Sequence, residues 1–268
     1  MTAVRPPAVA GLFYPAEAVK LKRDIQYLLR HAEVRDVKPK ALIVPHAGYI
    51  YSGAIAATAY ACLNSVASVI RRVVLLGPAH RVAVQGLALP TVDAFETPLG
   101  RVKLDTALVR TIAHLPQVTV SSDVHVLEHS LEVQLPFLQT VLDEFTLLPL
   151  AIGMVTADAV AEVLELVWGE EETLIVISSD LSHYLPYTVA QIKDAETVHS
   201  ILQLKQLAHH DQACGGIPIN GLILAAQRHR LTPKLLDLRN SGDTAGSRDQ
   251  VVGYAAIAFC AGGDFDTH

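Results

Sequence analysis

Three histidines stand in short polar loops where they could bind a metal ion together. His46, His80 and His183 each lie within a few residues of the end of a short apolar run. In open α/β sheets, ligands bind in the crevice beyond the carboxyl ends of the strands. Neutral imidazole is also the commonest protein ligand for metals. Equivalent positions after three predicted strands therefore predict that the rings meet over one crevice, although each alone could be an incidental loop residue.

Cys214 is the thiol whose position best suits chemistry. It stands just before a predicted helix, and the partial positive charge of a helix N-terminus favours a thiolate. Cys62 and Cys260 fit buried apolar positions, which is the usual fate of a free cysteine. Spacing alone does not place Cys214 near the histidines, so a small buried residue remains the alternative there.

A second polar cluster, Glu128-His-Ser-Leu-Glu132, opens a predicted helix. Its two glutamates are one turn apart on one helical face. They could therefore orient a metal-binding imidazole from outside, and we place Glu128 and His129 beside the ligands rather than among them. A glutamate in a first helical turn also complements the helix dipole, which explains Glu132 equally well.

Three residues in two of these loops suit proton transfer and substrate positioning. Asp180 and His183 follow the same predicted strand, and a carboxylate that orients an imidazole is a common acid–base pair. Tyr51 lies in the loop of His46, where its phenol could hydrogen-bond a ligand. Nucleotide-binding glycine motifs, a P-loop and the Gly-x-Ser-x-Gly motif of serine hydrolases do not occur.

The elements that carry these loops alternate between short apolar runs and longer helical patterns. Four runs are typical of strands buried on both faces: 41–44, 73–76, 145–148 and 174–177. Helical periodicity occupies segments 16–29, 53–62, 104–114, 131–142, 157–168 and 214–230, and two closing strands are predicted at 234–239 and 251–259. This order predicts one three-layer αβα domain over residues 1–268, with a largely parallel or mixed sheet and a frayed tail at 261–268.

Composition narrows the classes of partner. The chain has 268 residues, a net charge of −6 and no long basic run, which argues against nucleic-acid binding. No stretch of about 18 uninterrupted apolar residues predicts a membrane span, and the first residues lack the apolar core of a signal peptide. Three widely spaced cysteines suit a reducing compartment. We expect a cytoplasmic protein, and the sequence gives no indication of its oligomeric state.

Together these motifs resemble the Memo-like family, whose bacterial and archaeal members are called AmmeMemoRadiSam system protein B. The matching segments are 10–15 (AGLFYP), 45–51 (PHAGYIY), 76–80 (LGPAH), 128–132 (EHSLE), 178–183 (SSDLSH), 214–215 (CG) and 252–254 (VGY). The resemblance implies a fold related to the class III extradiol, or LigB-like, ring-cleaving dioxygenases, which hold non-haem iron. It implies His46, His80 and Cys214 as metal ligands, and its adjoining pocket residues fall on Tyr51, Asp180 and His183.

The resemblance leaves two functions open. Those dioxygenases use two histidines and a carboxylate, with another histidine as acid–base, so Cys214 would stand in place of the carboxylate. A thiolate is softer, which brings copper and zinc into consideration beside iron, and it is itself oxidisable. The chain is then either a metal-dependent oxidoreductase acting on a small molecule, or a non-catalytic protein that sequesters metal or binds a peptide or partner. The family also implies a functional link to AMMECR1-type and radical-SAM proteins.

Overall fold

The computed structural model describes residues 3–262, and in that part of the chain it contains eight α-helices and twelve strands. The helices are α1 (Ala18–Arg30), α2 (Tyr49–Ala61), α3 (Thr106–Ile112), α4 (Ser122–Val126), α5 (Leu135–Val141), α6 (Ala157–Leu166), α7 (Tyr187–Leu202) and α8 (Gly216–Arg228). The strands are β1 (Val4–Arg5), β2 (Pro39–Val44), β3 (Arg72–Pro78), β4 (Leu87–Leu89), β5 (Ala94–Thr97), β6 (Gly100–Lys103), β7 (Val118–Val120), β8 (Thr146–Ile152), β9 (Thr173–Ser178), β10 (His183–Leu185), β11 (Leu231–Asn240) and β12 (Val251–Ala261).

The large sheet is built around four parallel strands. Its order is β10-β12-β2-β9-β3-β8-β4-β7, with β11 also paired to β12. Strands β2, β9, β3 and β8 run parallel, whereas β12 and β4 pair antiparallel to the two sides of this group. Val44 pairs with Ser178, and Leu76 pairs with Ile177. The carboxyl ends of β2, β9 and β3 therefore meet at one edge of the sheet.

Helices cover both faces of this sheet. Alternate residues of β3 point to opposite sides, so that Val73 and Leu75 join one apolar core and Val74 and Leu76 join the other. Helices α1, α2 and α5 contribute to the first core, and α3, α6, α7 and α8 contribute to the second. A strand buried on both faces needs apolar side chains in succession, which is why continuous β-branched runs mark these strands. The predicted three-layer αβα architecture with a mixed sheet is confirmed.

The observed helices and strands differ from the predicted ones mainly in the more polar segments of the chain. The predicted helix 131–142 begins as the 3-10 turn Glu132–Gln134 and becomes α-helical only at Leu135. Helix α7 and the small sheet β1-β5-β6 had no clear sequence signal. Ala261 ends β12, while 263–268 of the predicted frayed tail lies outside the described residues. The extent of the domain, 1–268, stays a prediction. Within residues 3–262, no helix is both long and apolar enough to cross a membrane.

Candidate metal centre

Three imidazoles converge at the edge where the parallel strands end. One potential ligand atom from each of His46, His80 and His129 lies within 4.8 Å of the other two, and residues 3–262 contain no other such group. The ring centroid of His46 lies 5.2 Å from that of His80 and 5.4 Å from that of His129. The rings of His80 and His129 are stacked, with their centroids 4.8 Å apart. His46 is buried, whereas His80 is exposed, so the group lies between the core and the surface.

Two of these histidines are positioned by strands and the third by a loop. His46 comes two residues after β2, and His80 comes two residues after β3, with β9 between the two strands. His129 lies in the segment between α4 and α5. Its neighbour Ser130 holds this segment against the sheet, because the Ser130 hydroxyl donates to the Pro78 carbonyl at 2.8 Å. The loop therefore brings its imidazole to the strand edge from outside the sheet.

Glu128 fixes the orientation of His80. Its Oε1 atom lies 3.0 Å from Nδ1 of His80, and its Oε2 atom accepts the backbone N–H of His80 at 2.5 Å. Oε1 also accepts the N–H groups of His129 and Ser130. Burial would raise the pKa of Glu128, but the hydrogen bond and charge of His80 and these N–H groups outweigh it and lower the pKa to about 2. The ionised carboxylate can only accept, so His80 donates through Nδ1, and the neutral form of this ring has its lone pair on Nε2.

The other two imidazoles are held neutral by burial. Desolvation, and then the neighbouring histidines, lower the pKa of His46 well below its ordinary value. Desolvation lowers the pKa of His129 to about 4. His129 packs against the Phe13 ring with centroids 4.7 Å apart, and its buried Nδ1 has no hydrogen-bond partner. Neutral imidazole is the form that binds metals. Three converging neutral or carboxylate-oriented rings therefore fit a metal ion.

Cys214 lies beside this group and contacts one of its members. Its Sγ atom is 3.3 Å from Nε2 of His46, and it accepts the backbone N–H of Asp180 at 3.3 Å. Burial, and next the nearby Asp180 carboxylate, raise the pKa of the thiol to about 12. The thiol does not belong to the group of three ligand atoms within 4.8 Å of one another. Its assignment as a metal ligand stays a prediction, as does the placement of His129 outside the ligand set.

The three residues predicted for catalysis lie around the same loops. The Oδ1 atom of Asp180 accepts the backbone N–H of His46 at 2.8 Å, and burial raises the pKa of this carboxyl to about 7. His183 begins β10 and is exposed, and no hydrogen bond joins it to Asp180. Tyr51 is half-buried in the first turn of α2. Asp180 thus supports the backbone of the His46 loop, and the catalytic roles of all three stay predictions.

Glu132 has a contact that sequence reasoning missed. It touches no imidazole and instead forms a buried ion pair with Arg5, whose Nη1 lies 2.6 Å from Oε2. The same carboxylate accepts the N–H groups of Ala8 and Val9 and the hydroxyl of Tyr14. It therefore anchors the segment that carries Phe13 against His129. A glutamate beside the predicted site was visible in the sequence, but its partner more than a hundred residues away was not.

Comparisons with known proteins identify a family and a related fold. A family model described as "Memo-like protein" matches residues 5–258. A "MEMO1 family protein" of Aquifex aeolicus (strain VF5) is 38% identical over 268 residues, covering 96% of this chain and 99% of the relative. "MEMO1 family protein SSO0066" of Saccharolobus solfataricus is 35% identical, covering 95% of this chain and 99% of the relative. The crystal structure of uncharacterized protein JW3007 from Escherichia coli K12 superposes with a TM-score of 0.50 at 14% identity, over 81% of this chain and 98% of that one, and supports the fold alone.

Proposed function

Because the chain belongs to the Memo-like family, we propose that it binds a transition-metal ion between His46, His80 and His129. The convergence of these three rings carries the proposal. Glu128 orients one ring and Ser178 contacts the second; the buried Nδ1 of the third makes no hydrogen bond and has the Glu128 carboxylate 3.3 Å away. Partners on the outer nitrogen of a ligating imidazole are a regular feature of protein metal sites.

Iron is the metal we propose first, with copper and zinc as the alternatives. Imidazole ligands suit all three metals. The Cys214 thiol, 3.3 Å from Nε2 of His46, is close enough to join the ligand set after a small movement, and a thiolate would shift the preference toward copper or zinc. Two carboxyls lie next to the three imidazoles: Oε1 of Glu128 lies 3.0 Å from Nδ1 of His80, and Oδ2 of Asp180 lies 4.0 Å from Nε2 of His46. Neither belongs to the group of converging ligand atoms. The ligand set is therefore nitrogen-rich.

We further propose that the protein is an oxidoreductase that acts on a small molecule. A bound iron or copper ion would supply Lewis-acid and redox chemistry at the pocket. His183 is an exposed histidine on β10, the edge strand of the same sheet, and it would donate or accept a proton. Asp180 would hold the His46 loop through its backbone N–H bond, and Tyr51 would orient the substrate from the first turn of α2.

A non-catalytic role is the second candidate, and a specific observation favours it. Segments close in sequence to the site residues carry large apolar side chains that are more than half exposed: Leu12 at 80%, Ile50 at 71%, Tyr184 at 69% and Leu127 at 62%. Each lies within four residues of Phe13, His46, His183 or His129 along the chain. Exposed apolar residues near a site favour binding of a peptide or partner protein. A functional link to AMMECR1-type and radical-SAM proteins would belong to this candidate or to the first.

Metal analysis after anaerobic purification tests the site. Wild type should retain iron, copper or zinc near one ion per chain, whereas His46→Ala and His129→Gln should lose it. The matched control is His114→Gln, since His114 is exposed and outside the group. Stoichiometric metal in both pocket variants would contradict the site. Cys214→Ser reports whether the thiol is a ligand, and oxygen uptake by the iron-loaded protein with a panel of phenols distinguishes turnover from sequestration.

A further inference from the structure

The hydroxyl of Ser178 is the meeting point of three buried polar groups. Its Oγ atom lies 3.0 Å from Nδ1 of His46, 2.8 Å from Nε2 of Gln134 and 2.5 Å from the backbone carbonyl of Ser130. Ser178 and Ser130 are fully buried, and Gln134 and His46 nearly so. A buried network of this kind is costly unless every donor meets an acceptor. The positions of its protons can therefore be deduced.

The orientation of the Gln134 amide follows from its two outer neighbours. Nε2 faces the carbonyl of Pro45 at 3.0 Å, and Oε1 faces the hydroxyl of Tyr60 at 2.8 Å. A carbonyl oxygen can only accept, so the amide group beside Pro45 must be the NH₂. A flipped amide would set two acceptors against each other at that position. Gln134 consequently donates to both Pro45 and Ser178 and accepts from Tyr60.

The hydroxyl proton of Ser178 then has only one possible acceptor. The Ser130 carbonyl can only accept, so Ser178 donates to it. In its other two hydrogen bonds Oγ must be the acceptor, and the donors are the Gln134 amide and the His46 ring. His46 therefore carries its proton on Nδ1 and its lone pair on Nε2, the atom that lies 3.3 Å from Cys214.

We propose that Ser178, held by Ser130 and Gln134, is a positioning residue that fixes the Nδ1–H tautomer of His46. It does for His46 what Glu128 does for His80, with a neutral hydroxyl in place of a carboxylate. Gln134 also holds the residue before His46 through the Pro45 carbonyl, so it restrains both the ring and its backbone. The tautomer is a property of the metal-free protein, whereas its effect on metal affinity rests on the proposed function.

Nitrogen-15 NMR of the histidine rings in metal-free protein tests the tautomer directly. The expected result is a protonated Nδ1 and an unprotonated Nε2 for His46, with its signals assigned by their loss in His46→Gln. In Ser178→Ala the acceptor is gone, so the Nε2–H form should become populated. Affinity for ferrous iron, measured by competition with a chelator, should fall about 10- to 100-fold in this variant. Thr197→Val is the control, because it removes an equally buried hydroxyl on α7.

The outcomes separate this inference from the proposed function. A protonated Nε2 on His46 in the wild type would overturn the tautomer assignment, whatever the variants do. An Nδ1–H ring whose state and iron affinity stay unchanged in Ser178→Ala would overturn the positioning role. An Nδ1–H ring that is lost in Ser178→Ala would support the inference even if the wild type bound no metal, and that last result would contradict the proposed function alone.

Discussion

The Nδ1 atom of His80 lies 3.0 Å from Oε1 of Glu128, and the backbone N–H of the same histidine donates to Oε2. One carboxylate thus holds both the ring and the main chain of a predicted metal ligand. Because Glu128 is almost fully buried and its pKa is lowered to about 2, it stays a pure acceptor over the whole range in which the protein would work. The pair sets the direction in which Nε2 of His80 points.

Replacing Glu128 by Gln should weaken both the site and the fold. An amide offers one acceptor oxygen, and its NH₂ would face an N–H group at the other position, leaving a buried donor without a partner. The free energy of unfolding should fall by about 1–3 kcal/mol, and iron affinity should fall about 10- to 100-fold. Urea denaturation of the metal-free protein and chelator competition measure the two effects separately.

The control for this variant is Glu165→Gln. Glu165 also pairs with an imidazole, that of His229 at 2.8 Å, but both side chains are about one-third exposed and remote from the pocket in sequence. Exposed pairs contribute little, so the control should change stability by less than about 1 kcal/mol and leave iron affinity unchanged. Equal losses of affinity in both variants would contradict the role of Glu128.

His46 and His80 could be predicted at one edge from the sequence, and His129 could not be assigned to their group. The first two follow continuous β-branched runs, and parallel strands end at a common edge. His129 follows no strand, and its position depends on the bonds of Ser130 and Glu132 to residues far away in the chain. Periodicity and spacing do not report such long-range hydrogen bonds.

The same distinction explains which elements were predictable. The central strands carry apolar residues on both faces, so their position was clear. Helix α7 was missed because its buried face is lined partly by small and polar residues, including Ala190, Asp194 and Thr197. Strands β1, β5 and β6 have two to four residues each, too few to show an alternating pattern.

Arg5→Met should destabilise the protein strongly. Arg5 and Glu132 are almost fully buried, and the variant leaves the Glu132 carboxylate with no opposite charge. The expected loss is about 3–5 kcal/mol of the free energy of unfolding, measured by urea denaturation. The free energy of unfolding of Arg5→Lys should lie between those of the wild type and Arg5→Met. Lysine keeps the charge but loses the guanidinium group that also donates to the carbonyls of His125 and Glu128.

The exposed pair of Lys20 with Asp24 is the comparison for this variant. Its atoms are also 2.6 Å apart, but the Lys20 side chain is about half exposed. Lys20→Met should therefore cost less than about 1 kcal/mol. A similar cost for Arg5→Met and Lys20→Met would show that burial does not decide the strength of the Arg5 pair.

His125 should make stability depend on pH. Burial lowers its pKa to about 4 from an ordinary value near 6.5, with Arg5 lowering it further and Glu128 and its bond to Ala88 opposing. His125 is therefore protonated below about pH 6.5 in the unfolded chain but only below about pH 4 in the folded chain. The contribution of His125 to the free energy of unfolding should therefore be highest above about pH 6.5, where the ring is neutral in both states. It should decrease by up to about 3 kcal/mol as the pH falls toward about 4.

His125→Gln isolates this contribution. Nε2 of His125 lies 2.9 Å from the Ala88 carbonyl, and a glutamine amide can keep a donor there. The difference in unfolding free energy between wild type and variant, measured with urea in metal-free protein from pH 7.5 to 4.5, should shift steadily against the wild type as the pH falls. Because both proteins share all other titrating groups, a difference that does not change with pH would contradict the assignment.

Gly253→Ala should disturb the loop that leads to His183. A Cβ at Gly253 would overlap the carboxylate of Asp194, which accepts the backbone N–H of Ser182 at 3.0 Å. Gly253 itself pairs with the same loop, since its carbonyl accepts the N–H of Leu181. We expect a loss of about 1–3 kcal/mol from overpacking and a changed NMR signal for His183.

The control and a second substitution make this prediction specific. Gly216→Ala at the start of α8 should cost nothing, because a Cβ there meets no atom within 4 Å. Asp194→Ala removes the group with which the new Cβ collides, so Gly253→Ala should cost much less in that background than in the wild type. Contacting residues show such coupling in double-mutant cycles. Additive effects of the two substitutions would mean that Asp194 is not the residue that requires a glycine at position 253.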